Sequence, residues 1–179
     1  ASERPRPVQV RKLLQQSIFG VDRDKDACSV TELSLLLTLL DYCEPPDLEN
    51  GTRFKLPRLP VNNILCKNFF DSGDATLEKW RNRKYDWVIG NPPWKKLRPA
   101  NLNQDDRPVY DWMTKNKTTY PTGSYQVAQA FAWRALDYLR VAGEVGLLLP
   151  AMSLFENHSR PFRAAFFSRT NVDSISNFS

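Results

Sequence analysis

The chain has 179 residues, 41% of them hydrophobic, and 25 Lys and Arg against 20 Asp and Glu for a formal charge of +5, a balance that suits a globular domain and excludes disorder, collagen and coiled coil. No apolar run approaches the ~18 to 20 residues that span a bilayer, and residues 1–16 are basic and polar without an apolar signal core, so neither a membrane nor a secreted protein is expected. A single histidine, His158, excludes chemistry built on several imidazoles, and the three cysteines form no Cys-x-x-Cys pair, so no metal site is expected and the setting reads as reducing and cytoplasmic.

Residues 17–22 form a short apolar run ending in Gly20, Val21 and Asp22, which reads as a strand. From residue 25 to 42 an apolar stripe at Ala27, Val30, Leu33, Leu37 and Leu40 predicts a helix, with Asp24 as its N-cap. Cys28 and Cys43 flank it as packing residues. Pro45 and Pro46 stop it, and four prolines with an Asn50-Gly51 turn make residues 44–60 an irregular loop before a second strand at 62–66. A Gly73-Asp74 turn and a short helix follow.

Residues 85–89 are β-prone and stop at Gly90-Asn91-Pro92-Pro93-Trp94, because proline cannot donate to a ladder. Residues 95–123 then show no period and read as a long basic and aromatic loop. It carries Lys95, Lys96, Arg98, Arg107, Lys115 and Lys117 among Tyr110, Trp112 and Tyr120. A helix is expected over 124–140 with the face Ala128, Phe131, Ala135 and Leu139, capped by Thr122 or Ser124 and closed by Ala142-Gly143. Residues 144–149 read as a strand buried on both faces, followed by a helix at 159–169 and a last strand near 172–177. Strand and helix alternate throughout, which predicts an α/β chain with a mostly parallel sheet, helices on both faces and ligands at the carboxyl ends of the strands.

The sharpest local signal is Asn91-Pro92-Pro93-Trp94 at the end of a strand. It resembles the Asp/Asn-Pro-Pro-aromatic motif of S-adenosylmethionine-dependent methyltransferases that act on planar amino or amide nitrogens. The chemistry explains the pattern: the lone pair of an exocyclic amine is delocalised into its ring, and two hydrogen-bond acceptors can turn it out of conjugation. The Asn91 side-chain oxygen and the Pro92 carbonyl would be those acceptors, held rigid by Pro93. Orientation of this kind carries ~7 to 11 kcal/mol of a barrier. Trp94 would give a stacking face for a base extruded from a duplex.

The same resemblance assigns Asp22 to the cofactor ribose hydroxyls, unless Asp22 or Asp24 only caps the next helix. It assigns Asn68 to the adenine, with Asp71 as the alternative. Residues 131–150, with the segment 149–155 and Arg160 and Arg163 beyond, are similar to the corresponding stretch of adenine-specific restriction-modification or phage-defence enzymes. The resemblance therefore implies a Rossmann-like methyltransferase domain over 1–179 that takes S-adenosylmethionine as cofactor and adenine-containing DNA as partner. A glutamine-N5 protein methyltransferase, an RNA base methyltransferase and a non-catalytic interaction module of the same fold are the alternatives.

One departure from the family pattern stands out. The Gly-rich cofactor loop expected ahead of Ile18 has no counterpart in residues 1–17, and no target-recognition segment follows. The expectation is a partial domain whose missing segments come in cis or from another chain, with weak cofactor binding by these residues alone. A sheet without its central strand would also offer an edge for pairing.

Overall fold

The computed structural model describes residues 6–43 and 63–177, and the chain divides into two compact units, one running to Phe69 and one from Phe70. No helix among the described residues is long and apolar enough to cross a membrane. The expected loop at 44–60 and its Asn50-Gly51 turn lie outside the described residues.

The first unit begins with a helix that the sequence reading did not predict, α1 (Pro7–Gln16), which buries Val10 and Leu14. Strand β1 (Gly20–Asp22), helix α2 (Lys25–Leu40) and strand β2 (Ile64–Cys66) follow. The strands pair in parallel with Gly20 opposite Ile64, Val21 opposite Leu65 and Asp22 opposite Cys66. Asp24 caps α2 as expected, its carboxylate accepting from the N–H groups of Asp26 at 2.8 Å and Ala27 at 3.2 Å.

The face of α2 differs from the expected one. Val30, Leu33 and Leu37 are exposed, and Cys28 and Leu39 are buried instead. Leu39 packs with Val10 and Leu14 of α1, supported by Leu35, Leu36 and Tyr42. Leucines occupy positions 33, 35, 36, 37, 39 and 40, so the helix is apolar around most of its circumference and its period alone selects no face.

Buried Asn63 ties these pieces together. Its Nδ2 donates to the carbonyls of Leu14, Gln15 and Ile18 at 3.1, 3.0 and 3.0 Å, the first two of them in the last turn of α1. Its own carbonyl accepts from Gly20 N–H at 2.8 Å. One residue thus sets where α1 ends and where β1 begins.

The second unit contains α3 (Ala75–Arg83), β3 (Tyr85–Gly90), a 3₁₀ turn at Pro99–Asn101, α4 (Arg107–Asn116), α5 (Val127–Leu136), β4 (Leu139–Leu147), α6 (Met152–Phe155), a second 3₁₀ turn at Asn157–Ser159 and α7 (Arg160–Phe167). Strands β3 and β4 pair in parallel, so both strand pairings among the described residues are parallel and the α/β class holds. The core is aromatic: Trp133 of α5 meets Phe162 and Phe166 of α7 at 5.9 and 4.9 Å between ring centroids. Buried Gln129 accepts from Gly123 N–H at 2.6 Å and donates to the Ser159 hydroxyl at 2.8 Å. The indole of Trp133 donates to the Pro121 carbonyl at 2.9 Å. These bonds hold the turn that leads into α5.

Five expectations about the second unit are corrected by the structure. Residues 95–123 are not one structureless loop, because α4 lies inside them and buries Val109 and Met113. The helix expected over 124–140 is confined to Val127–Leu136 and begins at Gln126 rather than at Thr122 or Ser124. The positive φ angles of Ser124 and Tyr125, 49° and 58°, turn the chain before a helix can start there. Ala142-Gly143 closes no helix but sits within β4, where Tyr85 opposes Leu139 and Trp87 already opposes Glu144. This is a bulge, with Ala142 at φ 61° and Gly143 so close to β3 that a Cβ there would lie 2.9 Å from the Tyr85 carbonyl.

The other two corrections concern burial and the C-terminal strand. No residue of β4 is buried, against the expectation of a strand covered on both faces, and Ile89 on β3 is 80% exposed. Each of these strands pairs only with the other among the described residues. The last strand expected near 172–177 does not form, since no ladder reaches those residues.

Candidate active site

In the first unit, Asp22 is the last residue of β1 and is exposed, and its Oδ1 accepts from Asp24 N–H at 2.8 Å. The capping of α2 therefore belongs to Asp24, and the Asp22 carboxylate keeps a second oxygen with no protein partner among the described residues. The Asp22 carbonyl accepts from Lys67 N–H at 2.8 Å, extending the strand pairing past its formal end. Asn68 lies two residues beyond β2, so Asp22 and Asn68 follow adjacent parallel strands at their carboxyl ends. Asp71, the alternative to Asn68, accepts from Gly73 N–H at 3.0 Å and makes its own turn.

Burial beside Asp22 also perturbs a thiol. Cys28 donates to the carbonyls of Asp22 at 3.6 Å and Leu65 at 3.7 Å. Its pKa is raised, first by desolvation and then by the charges of Cys66 and Asp22. It stays a neutral packing group next to the strand ends.

In the second unit, β3 delivers Asn91 to Trp94 at its carboxyl end. Leu148 N–H donates to the Gly90 carbonyl at 3.1 Å, and the Trp94 indole N–H donates to the Leu148 carbonyl at 3.1 Å. Pro92 is buried, while Asn91 is exposed. Neither the Asn91 side chain nor the Pro92 carbonyl has a hydrogen-bond partner among the described residues. Trp94 is 61% exposed, so it is not a core residue. The arrangement is two unspent acceptors beside a tethered aromatic plane.

The chain after the motif is also tied down. Lys96 forms an antiparallel bridge with Gln126, and the carbonyls of Lys95 and Tyr125 accept from Val127 and Leu97 at 3.0 and 3.1 Å. Of the six cations in 95–123, Lys95 pairs with Asp106, Lys96 with Glu156 at 3.9 Å and Arg107 with Asp111 at 3.4 Å. Arg98, Lys115 and Lys117 have no carboxylate partner among the described residues.

Residues 16–179 match the model of a family described as Eco57I restriction-modification methylase. The chain belongs to that family. It is also 26% identical over 151 residues to the type II restriction enzyme and methyltransferase RM.Eco57I of Escherichia coli, an alignment covering 79% of this chain and 15% of the relative. The chain thus spans a small part of the length of that relative.

Each unit has one further structural contributor that the sequence does not single out. Leu148 acts through its backbone alone, which leaves no side-chain signal. Asn63 falls inside the strand expected at 62–66, and its role in capping backbone carbonyls shows only in its burial and bonding.

Proposed function

We propose that this chain forms part of the catalytic domain of a DNA methyltransferase that transfers a methyl group from S-adenosylmethionine to the N6 amine of adenine. Family membership supports methylation of DNA in general. The observation that carries the finer reading is the pair of unpartnered acceptors, Asn91 and Pro92, beside exposed Trp94.

In this reading the Asn91 oxygen and the Pro92 carbonyl each accept one hydrogen of the substrate amine and turn its lone pair outward. Pro93 keeps the two acceptors in place before substrate arrives, so little ordering remains at the moment of reaction. Trp94, its ring plane fixed by the bond to Leu148, stacks on the flipped base. Its large face suits a nucleobase better than a glutamine side chain.

The residues of the first unit fit the adenosine half of the cofactor. Asp22 presents an exposed carboxylate at the end of a parallel strand, with one oxygen unspent, as the vicinal hydroxyls of a ribose require. Asn68 would bond the adenine. When bound, the cofactor supplies an electrophilic methyl group on its sulfonium. No described residue is assigned to its methionine end, and the small share of the relative that is covered fits a larger protein that supplies this part together with DNA recognition.

The test is calorimetric titration of S-adenosylmethionine into this chain and into a form extended by ~40 residues at the N-terminus, about one β-α unit. Transfer to an adenine-containing duplex is then followed by mass spectrometry of the nucleosides. Binding by the extended form, with N6-methyladenine as product, is the expected result. Binding by neither form would favour a non-catalytic interaction module, and methylation of a protein glutamine or of RNA in place of DNA would reassign the substrate.

A further inference from the structure

The second unit holds an open cavity of about 800 Å³ that neither Asn91 nor Trp94 lines. Helix α4 forms one wall with a single face that runs from Arg107 through Asp111 to Lys115. The volume lies in the range of sites that enclose a nucleotide-sized ligand.

Four cations line this cavity, Arg81, Arg107, Lys115 and Arg134, against the two carboxylates Asp71 and Asp111. Both acids are already engaged: Asp111 pairs with Arg107 at 3.4 Å, and Asp71 accepts from Gly73. Arg81 pairs with Glu78, which is not part of the lining. Lys115 has no carboxylate partner among the described residues.

Arg134 decides the chemistry. It is only 6% exposed, spends Nη1 on Asp137 at 3.1 Å, and keeps its Nε buried with no acceptor. A guanidinium stays charged at any ordinary pH, and buried donors without acceptors are few in folded proteins, each one calling for a water, an ion or a ligand nearby. Arg134 thus brings to the cavity lining a guanidinium that spends one nitrogen on Asp137, and Lys115 adds a second cation. Trp112 and Phe70, edge to face at 5.3 Å, line the same cavity. Phe70 is itself buried, so half-buried Trp112 gives the aromatic surface that a nucleobase packs against and a bare inorganic anion does not need.

We propose that this cavity binds a phosphate ester, with Arg134 and Lys115 as its cationic contacts. The ester is a link of a nucleic-acid backbone or the phosphate of a free nucleotide, and one set of titrations separates the two. The cavity includes Asp71, the alternative adenine contact, but none of Asp22, Asn68, Asn91, Pro92 and Trp94 lines it.

A short labelled DNA oligonucleotide and thymidine 5′-monophosphate, chosen because it lacks adenine, are titrated into the wild-type chain and into Lys115→Glu and Lys117→Glu. The second variant makes the same charge change two residues away, outside the cavity lining. Lys115→Glu is expected to weaken oligonucleotide binding about tenfold or more, the scale of a charge-assisted hydrogen bond, and Lys117→Glu by less than about twofold. Arg134→Gln gives the same loss if its melting profile stays cooperative, and the lysine pair decides the matter if it does not. Binding of the mononucleotide alone, lost in Lys115→Glu, keeps the site and makes a free nucleotide its ligand. Equal weakening by the two lysine variants, or no binding of either probe, overturns the proposal.

Discussion

The indole N–H of Trp94 donates to the carbonyl of Leu148 at 3.1 Å, while the N–H of the same Leu148 donates to the Gly90 carbonyl at 3.1 Å. One residue beyond β4 thus holds the segment Gly90 to Trp94 at both of its ends. The motif is fixed from outside its own sequence, and the parallel pairing of β3 with β4 sets its position.

Because Trp94 is 61% exposed, its removal should separate activity from stability. Trp94→Ala is expected to leave the unfolding free energy within about 1 kcal/mol of wild type, the worth of one ordinary hydrogen bond. Methyl transfer to DNA should fall by about 10- to 100-fold, matching the ~1 to 3 kcal/mol of one base–aromatic stack. Trp94→Phe, which keeps a ring but loses the tether to Leu148, should fall between the two. Denaturant titration and turnover of the form that methylates DNA measure both quantities. A large loss of stability with unchanged turnover would make Trp94 a packing residue.

Asn63 should show the opposite pattern. Its amide serves three carbonyls around the end of α1, and the side chain is buried. Asn63→Ala leaves those acceptors with fewer donors and is expected to cost about 1 to 3 kcal/mol. The check is the urea midpoint with the slope unchanged. Asn63→Asp should cost at least as much, because a carboxylate brings no donor to these carbonyls.

What could be read from the sequence was local. The Asp24 cap and the stop of β3 at the proline pair each depend on residues within a few positions of one another, and both stand in the structure. The face of α2 was not legible because its leucines surround the helix, so tertiary packing against α1 chose Leu39 over Leu37. Helix α4 was missed although Val109, Trp112 and Met113 lie at helical spacing and Arg107, Asp111 and Lys115 recur every four residues, a short pattern broken on both sides by prolines and polar residues. The Ala142-Gly143 turn was visible, but a Gly signal alone does not separate a helix end from a β-bulge. At the site, the residue types of the motif were readable, whereas the bond from Leu148 to Trp94 joins residues 54 positions apart.

The thiols of the first unit should differ in reactivity and in their effect on stability. Cys28 is buried with its pKa raised, whereas Cys66 is exposed. Iodoacetamide at mildly alkaline pH is expected to label Cys66 well before Cys28, as peptide mapping by mass spectrometry would show. The native state also holds the Cys28 proton more tightly than the unfolded chain does. Its contribution is therefore complete below the unfolded thiol pKa of about 8.5 and is lost as the pH rises through the higher native value. Burial raises Tyr85 and Tyr138 in the same direction further up the scale. The difference between wild type and Cys28→Ala as a function of pH isolates the thiol, and a difference that does not shrink on the alkaline side would count against this account.

Asn91 offers the sharpest division between an acceptor and a turn-forming residue. Its side chain is exposed and makes no hydrogen bond among the described residues, so substitutions there should change stability by no more than about 0.5 kcal/mol, as at other surface positions. If its oxygen orients the substrate amine, Asn91→Ala removes one of two acceptors made for the transition state, and turnover should fall by about 10² to 10³, the scale of losing one preorganised polar contact in an active site. Asn91→Asp keeps an acceptor oxygen of the same reach and should retain most of that rate. Because the interaction strengthens as the lone pair turns outward, the loss in Asn91→Ala belongs in kcat more than in KM. Equal damage from Ala and Asp, or a loss confined to KM, would assign Asn91 to ground-state binding or to the local turn and leave Pro92 as the one acceptor.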